Sequence, residues 1–288
     1  MDHRAQHVVM GATGHVGAAV VRALRARGES VIEVHHGTAG SSPGVVHADA
    51  HDVESLRAAF RCGRRAFLLN PPADVALDTD AVERATVANI LAALEDSGLE
   101  KVVAASTGGA QPGERLGDLN VLWELEQGLA RQSVPAAINR AAYYYSNWDG
   151  QIDSVRQTGE LHTLFPADLP IPMVAPEDLG RAASERLVSP LDDQGVRAIE
   201  GPVRLTSRQV ADIFGRVLGR KVTLVVTPRD QWEATFRSMG FSAAAAASYS
   251  RMTGVCVDQG FDPPDGARRW PTTFEEYLRT KVDQMARR

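Results

Sequence analysis

Gly11, Gly14 and Gly17 recur at every third residue of VVMGATGHVGAAVVRAL, and a triplet of this kind serves to hold a diphosphate. Val8 to Met10 read as a short buried strand. The run from Ala18 to Arg27 reads as a helix with Val20, Val21 and Leu24 on one face. In such a strand, loop and helix, Gly11 permits the tight turn, Gly14 lets a diphosphate approach the backbone, and Gly17 lets the helix pack against the strand. Thr13, His15 and Val16 complete the loop and the helix start, whose unpaired N–H groups and positive dipole end face an anion. Glycine loops also serve as plain turns. Here the strand before, the amphipathic helix after and a second strand at Val31 to Val34 supply the context that a dinucleotide site requires.

Around this loop, strand-like and helical runs alternate. Strands are expected at Val8 to Met10, Val31 to Val34, Val45 to Val46, Ala66 to Leu69, Val102 to Ala105 and Ala136 to Asn139. Helices are expected near Ala18 to Arg27, Val53 to Arg61, Thr79 to Asp96 and Leu119 to Arg131. This repetition predicts an α/β fold with a parallel sheet covered on both faces. After about Tyr145 the pattern becomes irregular and proline-rich, as in PADLPIPMVAPEDLG, which marks a second lobe. The five alanines Ala243 to Ala247 read as helix-forming filler.

The 288 residues allow one large domain, or a nucleotide-binding domain with a smaller lobe. With 31 basic against 36 acidic residues and no Lys/Arg cluster, the chain lacks the footprint of a nucleic-acid binder. No apolar run reaches the length of a membrane span. Cys62 and Cys256 are far apart, which fits a reducing cytoplasm and suggests neither a disulfide framework nor a zinc site. The loop begins too early for a secretory signal to precede it, so a cytoplasmic location is expected. His35, His36, His47 and His51 match no zinc spacing, and no metal site is expected.

Taken in order, GATGHVG, DAHD at Asp49 to Asp52, FLLNPP, AASTGGA, WELEQGL, INRAAYYYSN, APEDLG, GPVRLTSRQVADIF and PTTFEEYL resemble the NmrA-like family of atypical short-chain dehydrogenase/reductases. The resemblance implies an NAD(P)-binding, doubly wound Rossmann domain over residues 1–150 and a smaller, partly interleaved C-terminal α/β lobe over 151–288. Some segments of that lobe would return to the Rossmann sheet, and a substrate or partner would occupy the cleft.

Cofactor choice rests on the tip of the second strand, where a carboxylate binds a ribose hydroxyl and a basic residue accommodates a 2′-phosphate. In VIEVHHGTAG, Glu33 reads as buried while His35 and His36 fall at the tip. The resemblance places His36 where the family commonly has arginine. NADP is therefore favoured over NAD, although both histidines also fit as exposed strand ends. The resemblance puts Asp49 beside the adenine ring; alternatively Asp49 caps a turn, and Asp52 caps the helix that follows. Asn70 and Pro71 end the fourth strand, where such a sheet presents its ligand crevice, and should touch the cofactor through backbone atoms.

Short-chain reductases pair a tyrosine with a lysine four residues on, and the phenol relays a proton to the carbonyl oxygen. The corresponding helix here reads DLNVLWELEQGL, with Asp118 and Leu122 at those positions. The remaining candidates are Ser106 and Thr107 after the fifth strand, and Tyr143, Tyr144 and Tyr145 after the sixth. The hydroxyls also fit as satisfied backbone partners, and the phenols as packing at the lobe junction. Trp148 extends the aromatic run. Arg140 matches an arginine of the family pattern, which implies structural pairing, with Asp178 as one partner; Glu124 could reach the crevice, although a glutamate on a helix face is usually solvated.

Two readings follow. In one, the chain is an NAD(P)H-dependent oxidoreductase passing hydride to an apolar or aromatic carbonyl or quinone-like acceptor. In the other, it is a non-catalytic NADP(H) sensor acting through a regulatory protein partner. The oligomeric state is left open.

Overall fold

The computed structural model of the protein describes residues 5–37, 42–263 and 266–287. Through the first half, strands β1 (Ala5–Val9), β2 (Val31–His35), β3 (Val45–His47), β4 (Gly63–Leu68), β5 (Lys101–Thr107) and β6 (Ala136–Ala141) alternate with four helices. These are α1 (His15–Ala26), α2 (Val53–Phe60), α3 (Thr79–Leu94) and α4 (Asp118–Leu129). A short strand β7 (Tyr143–Tyr144) and a single 3₁₀ turn at Tyr145–Trp148 lead into α5 (Gln151–Thr158), β8 (Glu160–Thr163), β9 (Met173–Val174) and α6 (Pro176–Val188). The chain continues through β10 (Gly195–Glu200), α7 (Ser207–Leu218), β11 (Thr223–Val226), α8 (Trp232–Ser238), α9 (Ala243–Gln259), β12 (Ala267–Arg269) and α10 (Phe274–Ala286).

Eight strands form one sheet in the order β12-β10-β6-β5-β4-β1-β2-β3, every pair parallel. Because the strands are covered on both faces, they read as apolar runs. One face buries Val8, Ala66, Leu68, Val102 and Ala104 with Ile90 and Leu125; the other buries Val9, Phe67, Val103 and Ala137 with Val20, Leu24 and Leu187. β10 and β12 come from the second half of the chain and extend the sheet beyond β6. A third core joins Tyr145, Trp148, Ile152, Phe214, Phe274 and Leu278 around the two-stranded pairs β7-β9 and β8-β11.

Local chemistry sets the helix starts. Asp52 caps α2 by accepting from the amides of Glu54 and Ser55, as expected from the sequence. Thr206 with Gln209, and Thr273 with Glu276, form reciprocal capping boxes on α7 and α10. Gly180 brings α6 against α1, since a Cβ there would stand 2.5 Å from the Ala19 carbonyl carbon.

Strand order reverses at β1, which lies between β4 and β2. The crevice beyond the carboxyl ends of these strands is where such sheets bind ligands. The glycine loop leaves β1 and Asn70 follows β4 at this switch point, and the Met10 amide donates to the Phe67 carbonyl at 3.1 Å to join the two exits.

Candidate functional site

The loop after β1 turns tightly on its glycines. Gly11 has φ +63°, a left-handed conformation that favours glycine, and its carbonyl accepts from the Gly14 amide at 2.9 Å. Gly17 fits under the turn because a Cβ would lie 2.1 Å from the Gly11 carbonyl oxygen. Gly14 is different. It is exposed, in extended backbone, and a Cβ there would meet only that oxygen at 3.4 Å. Its bare face therefore looks outward, beside exposed Thr13 and His15, while Val16 anchors the helix in the core. The first bond of the helix start runs from Ala18 to Gly14, which leaves the amides of His15, Val16 and Gly17 with no acceptor among the described residues. With no acidic residue in the first turn, these donors and the dipole fit the diphosphate of a dinucleotide.

At the tip of β2, Glu33 is half-buried rather than sealed in the strand. Its carboxylate accepts from His35 Nε2 at 3.0 Å and pairs with Arg25 at 2.7 Å. The His35 ring also meets His47 edge-on at 6.0 Å between centroids. His35 is thus tied into the strand pair, whereas His36 is exposed at the strand end. Asp49 is exposed and its carboxylate accepts from the His51 amide at 2.9 Å, the local turn foreseen as one of its two readings. The Asn70 side chain is turned towards α3, accepting from Thr86 Oγ1 at 2.7 Å and donating to the Glu83 carbonyl at 3.2 Å, which leaves backbone beside half-buried Pro71 at the crevice. Among the described residues, no three His, Cys, Asp or Glu side chains converge as a metal site.

Beyond β5 and β6 opens a cavity of about 800 Å³. Thr107, Asp118, Tyr143 and Tyr144 line one side; Phe165, Phe241 and Tyr249, from the second half of the chain, close it. Tyr143 packs edge-on against Phe165 at 5.5 Å and Trp148 at 6.1 Å between ring centroids. Burial pushes the Tyr143 phenol up to about 12, and burial with the nearby Asp118 carboxylate holds Tyr144 well above the ordinary phenol range. Tyr145 leaves the cavity for the third core, where its hydroxyl donates to the Thr272 carbonyl at 3.3 Å. Ser106 and Thr107 separate in the same way: Thr107 reaches the cavity, while Ser106 is buried and donates to Glu126 at 2.5 Å.

The pairing expected between Arg140 and Asp178 is not formed. Arg140 donates to both oxygens of Glu126, at 2.8 and 2.6 Å, because α4 packs on β5, the strand paired with β6, and so brings Glu126 within its reach. Asp178 instead accepts from Arg181 at 2.9 Å and from the Thr272 amide and hydroxyl at 3.0 Å, tying α6 to the start of α10. Glu124 pairs with Arg84 at 3.0 Å. The alanine-rich segment read as filler is the start of α9, and it carries Ser248 and the cavity residue Tyr249. Buried Glu83, with its carboxyl raised to about 7 by burial first and by Asp118 next, also escaped the sequence reading, since an acid on an ordinary helix period carries no local signal.

A model of the NmrA-like family matches residues 5–278, nearly the whole chain. The chain belongs to the NmrA-like family. This NmrA-like protein is 27% identical over 249 residues to the nitrogen metabolite regulation-like protein bik4 of Gibberella fujikuroi, covering 75% of this chain and 74% of that one. Its structure resembles Citrobacter sp. triphenylmethane reductase complexed with NADP(H), with a TM-score of 0.73, 19% identity and coverage of 97% and 99% of the two chains. It also resembles the NADPH-dependent quinone oxidoreductase of Escherichia coli in complex with NADPH, with a TM-score of 0.73, 18% identity and coverage of 96% and 100%. At these identities the likeness to the two reductases is one of fold. No helix among the described residues is long and apolar enough to cross a membrane.

Proposed function

We propose that this NmrA-like protein is an NADP(H)-dependent oxidoreductase that reduces an apolar or aromatic carbonyl or quinone-like acceptor. The observation that carries the reading is the aromatic cavity beyond β5 and β6, reached from the same sheet edge as the glycine cradle. A protein that only sensed the dinucleotide would have no need of a substrate-sized chamber walled by Tyr143, Tyr144, Phe165 and Tyr249.

The amides of His15, Val16 and Gly17 would hold the diphosphate, and backbone at Asn70 and Pro71 would flank the dinucleotide. His36 at the strand tip, with Glu33 engaged by Arg25 and His35, supports NADP over NAD, as do the NADP(H) and NADPH of the two similar reductases. When bound, the reduced nicotinamide supplies the hydride. Tyr143 and Tyr144 act as walls that orient a flat acceptor and exclude water, because phenols held this far up are poor proton donors.

The second reading, a regulator that binds NADP(H) and signals to a protein partner, draws on Leu122 in place of an active-site lysine and on the regulatory name of the bik4 relative. Purified protein mixed with NADPH and a panel of quinones, enones and aromatic carbonyls separates the two. Oxidation with at least one acceptor is expected, with Tyr143→Phe and Tyr144→Phe nearly as active as the parent and the alanine variants raised in acceptor KM. Tight NADPH binding with no acceptor reduced would favour the regulator.

A further inference from the structure

We propose that Asp118 is the proton donor of this reductase, a carboxylic acid working where related enzymes use a phenol. The inference rests on the reductase reading above and assigns the step that reading leaves without a residue.

Asp118 is the first residue of α4, at the position corresponding to the acid tyrosine of a Tyr-x-x-x-Lys helix, and it lines the aromatic cavity with Thr107 and Tyr144. Leu122, one turn on, lines the same cavity in place of the lysine. Three carboxylates line this cavity. Glu200 and Asp262 are both paired with Arg204, at 2.9 and 2.5 Å, whereas Asp118 has no hydrogen bond or ion pair among the described residues. Asp118 is exposed to this cavity rather than enclosed by protein, and a carboxyl group that faces apolar and aromatic walls and lacks a paired cation is suited to carry a proton.

The backbone that presents it is fixed. Gly117, with φ +57°, donates its amide to Ser248 Oγ at 3.0 Å, and that hydroxyl donates in turn to Asp80 on α3. A Cβ on Gly117 would meet the Met252 sulfur at 3.0 Å, so α9 holds the turn from behind. The groups whose charge is felt at or from Asp118 are Asp80 and Glu83 on α3, Tyr144 on β7 and Tyr249 on α9, and Arg84 on α3 stands beside Asp80. Arg84, the cation of this set, is engaged by Glu124 at 3.0 Å and Asp80 at 3.5 Å; Arg115 in the preceding loop is engaged by Asp78 at 3.0 Å. The protein walls of the cavity, which thin the water around it, and then the Asp80 carboxylate raise the Asp118 carboxyl above its ordinary value, against the opposing pull of the α4 dipole.

The dinucleotide held by the amides of His15, Val16 and Gly17 would supply hydride to the acceptor carbonyl carbon and be oxidised in doing so. The π pair of the C=O bond moves to oxygen, and oxygen takes the Asp118 proton. Asp118 is left as a carboxylate and is reprotonated by a proton drawn from bulk solvent, so that each turnover consumes one solvent proton.

The test joins kinetics to a measurement made on the protein alone. Asp118→Asn keeps the size and polarity of the side chain but offers no acidic proton. With a carbonyl acceptor that the parent reduces, kcat should fall about 100-fold or more, while acceptor KM and NADPH Kd change little. Parent kcat should decline as pH rises through one ionisation that the variant lacks. In carboxyl-labelled protein without cofactor, an NMR resonance absent from the variant should titrate above the ordinary aspartate value of about 3.9. A variant with parental kcat, or an Asp118 resonance with an ordinary titration, would overturn the assignment and leave the reductase reading intact. If the parent reduces no acceptor at all, the reductase reading fails and takes this step with it. Should the variant not fold, coincidence of the parent's kinetic ionisation with the assigned Asp118 resonance supports the proposal, and a mismatch sinks it.

Discussion

Arg140 at the end of β6 grips Glu126 of α4 through two hydrogen bonds of 2.8 and 2.6 Å, and the same carboxylate accepts from Ser106 on β5. Glu126 is only 3% exposed, so the triad is a buried strut that fixes α4, and with it Asp118, against the sheet. Glu126→Ala is expected to cost about 2–3 kcal/mol, because it leaves a largely buried guanidinium without its partner. Ser106→Ala, which leaves the ion pair in place, should cost about 1 kcal/mol and preserve NADPH-dependent turnover. Urea unfolding beside turnover measures both; a catalytic collapse in the stable Ser106 variant would show that the hydroxyl does chemistry.

Two glycines of one loop should fail differently. Gly14→Val places its side chain on the open face that a diphosphate would approach, in backbone that valine tolerates, so a folded protein with NADPH affinity lost is expected. Gly17→Ala drives a methyl group into backbone at 2.1 Å and should lower thermal stability before any ligand is added. Calorimetric titration and melting of the two variants check this. Normal NADPH binding by folded Gly14→Val would reduce the loop to a turn.

His36 is the exposed basic side chain at the β2 tip, since His35 is held by Glu33. His36→Ala should narrow the preference for NADPH over NADH by about 10-fold, equivalent to about 1.4 kcal/mol. His36→Arg should widen it through the planar fork that arginine offers a phosphate. Paired titrations with NADPH and NADH read the ratio, and an unchanged ratio in both variants would remove His36 from cofactor selection.

Much of this architecture is legible from local sequence. The four helices and six strands of the first half announce themselves through apolar periodicity, and the glycine loop through spacing, because both are set by neighbours a few residues away. β10 and β12 are short and have little periodicity of their own; they become strands by pairing with β6 and each other. The sequence offers Asp178 as a partner for Arg140, and choosing Glu126 instead needed the packing of α4 on β5, the neighbour of β6. Tyr249 hid in an alanine-rich helix, and Glu83 on an ordinary helix face, because their placement depends on how α3, α4 and α9 pack together.

Glu83 gives a pH signature of folding. Its carboxyl is raised to about 7 from an ordinary 4.5, so the folded state holds a proton that the unfolded chain releases. Its contribution is fully present below about 4.5, is lost as pH rises towards 7, and is constant above that, a change of up to about 3 kcal/mol. Glu83→Gln can still accept from the Ala73 amide, the 3.0 Å bond made by the carboxylate. The variant should therefore match the parent at acid pH and exceed it in stability above neutrality. Urea unfolding at pH values below, within and above the window tests this, and parallel profiles for the two proteins would contradict it.

The central claim is that hydride passes from a dinucleotide in the glycine cradle to an acceptor in the aromatic cavity. The direct measurement is isotope transfer: NADPH deuterated at its transferable position is incubated with the protein and an aromatic carbonyl compound, and the product is analysed by mass spectrometry and NMR. The account predicts one deuterium on the former carbonyl carbon, with loss of the signal in Gly14→Val. Binding of NADPH with no deuterated product from any carbonyl or enone and no reduction of any quinone would contradict it and leave a protein that senses the cofactor without using it.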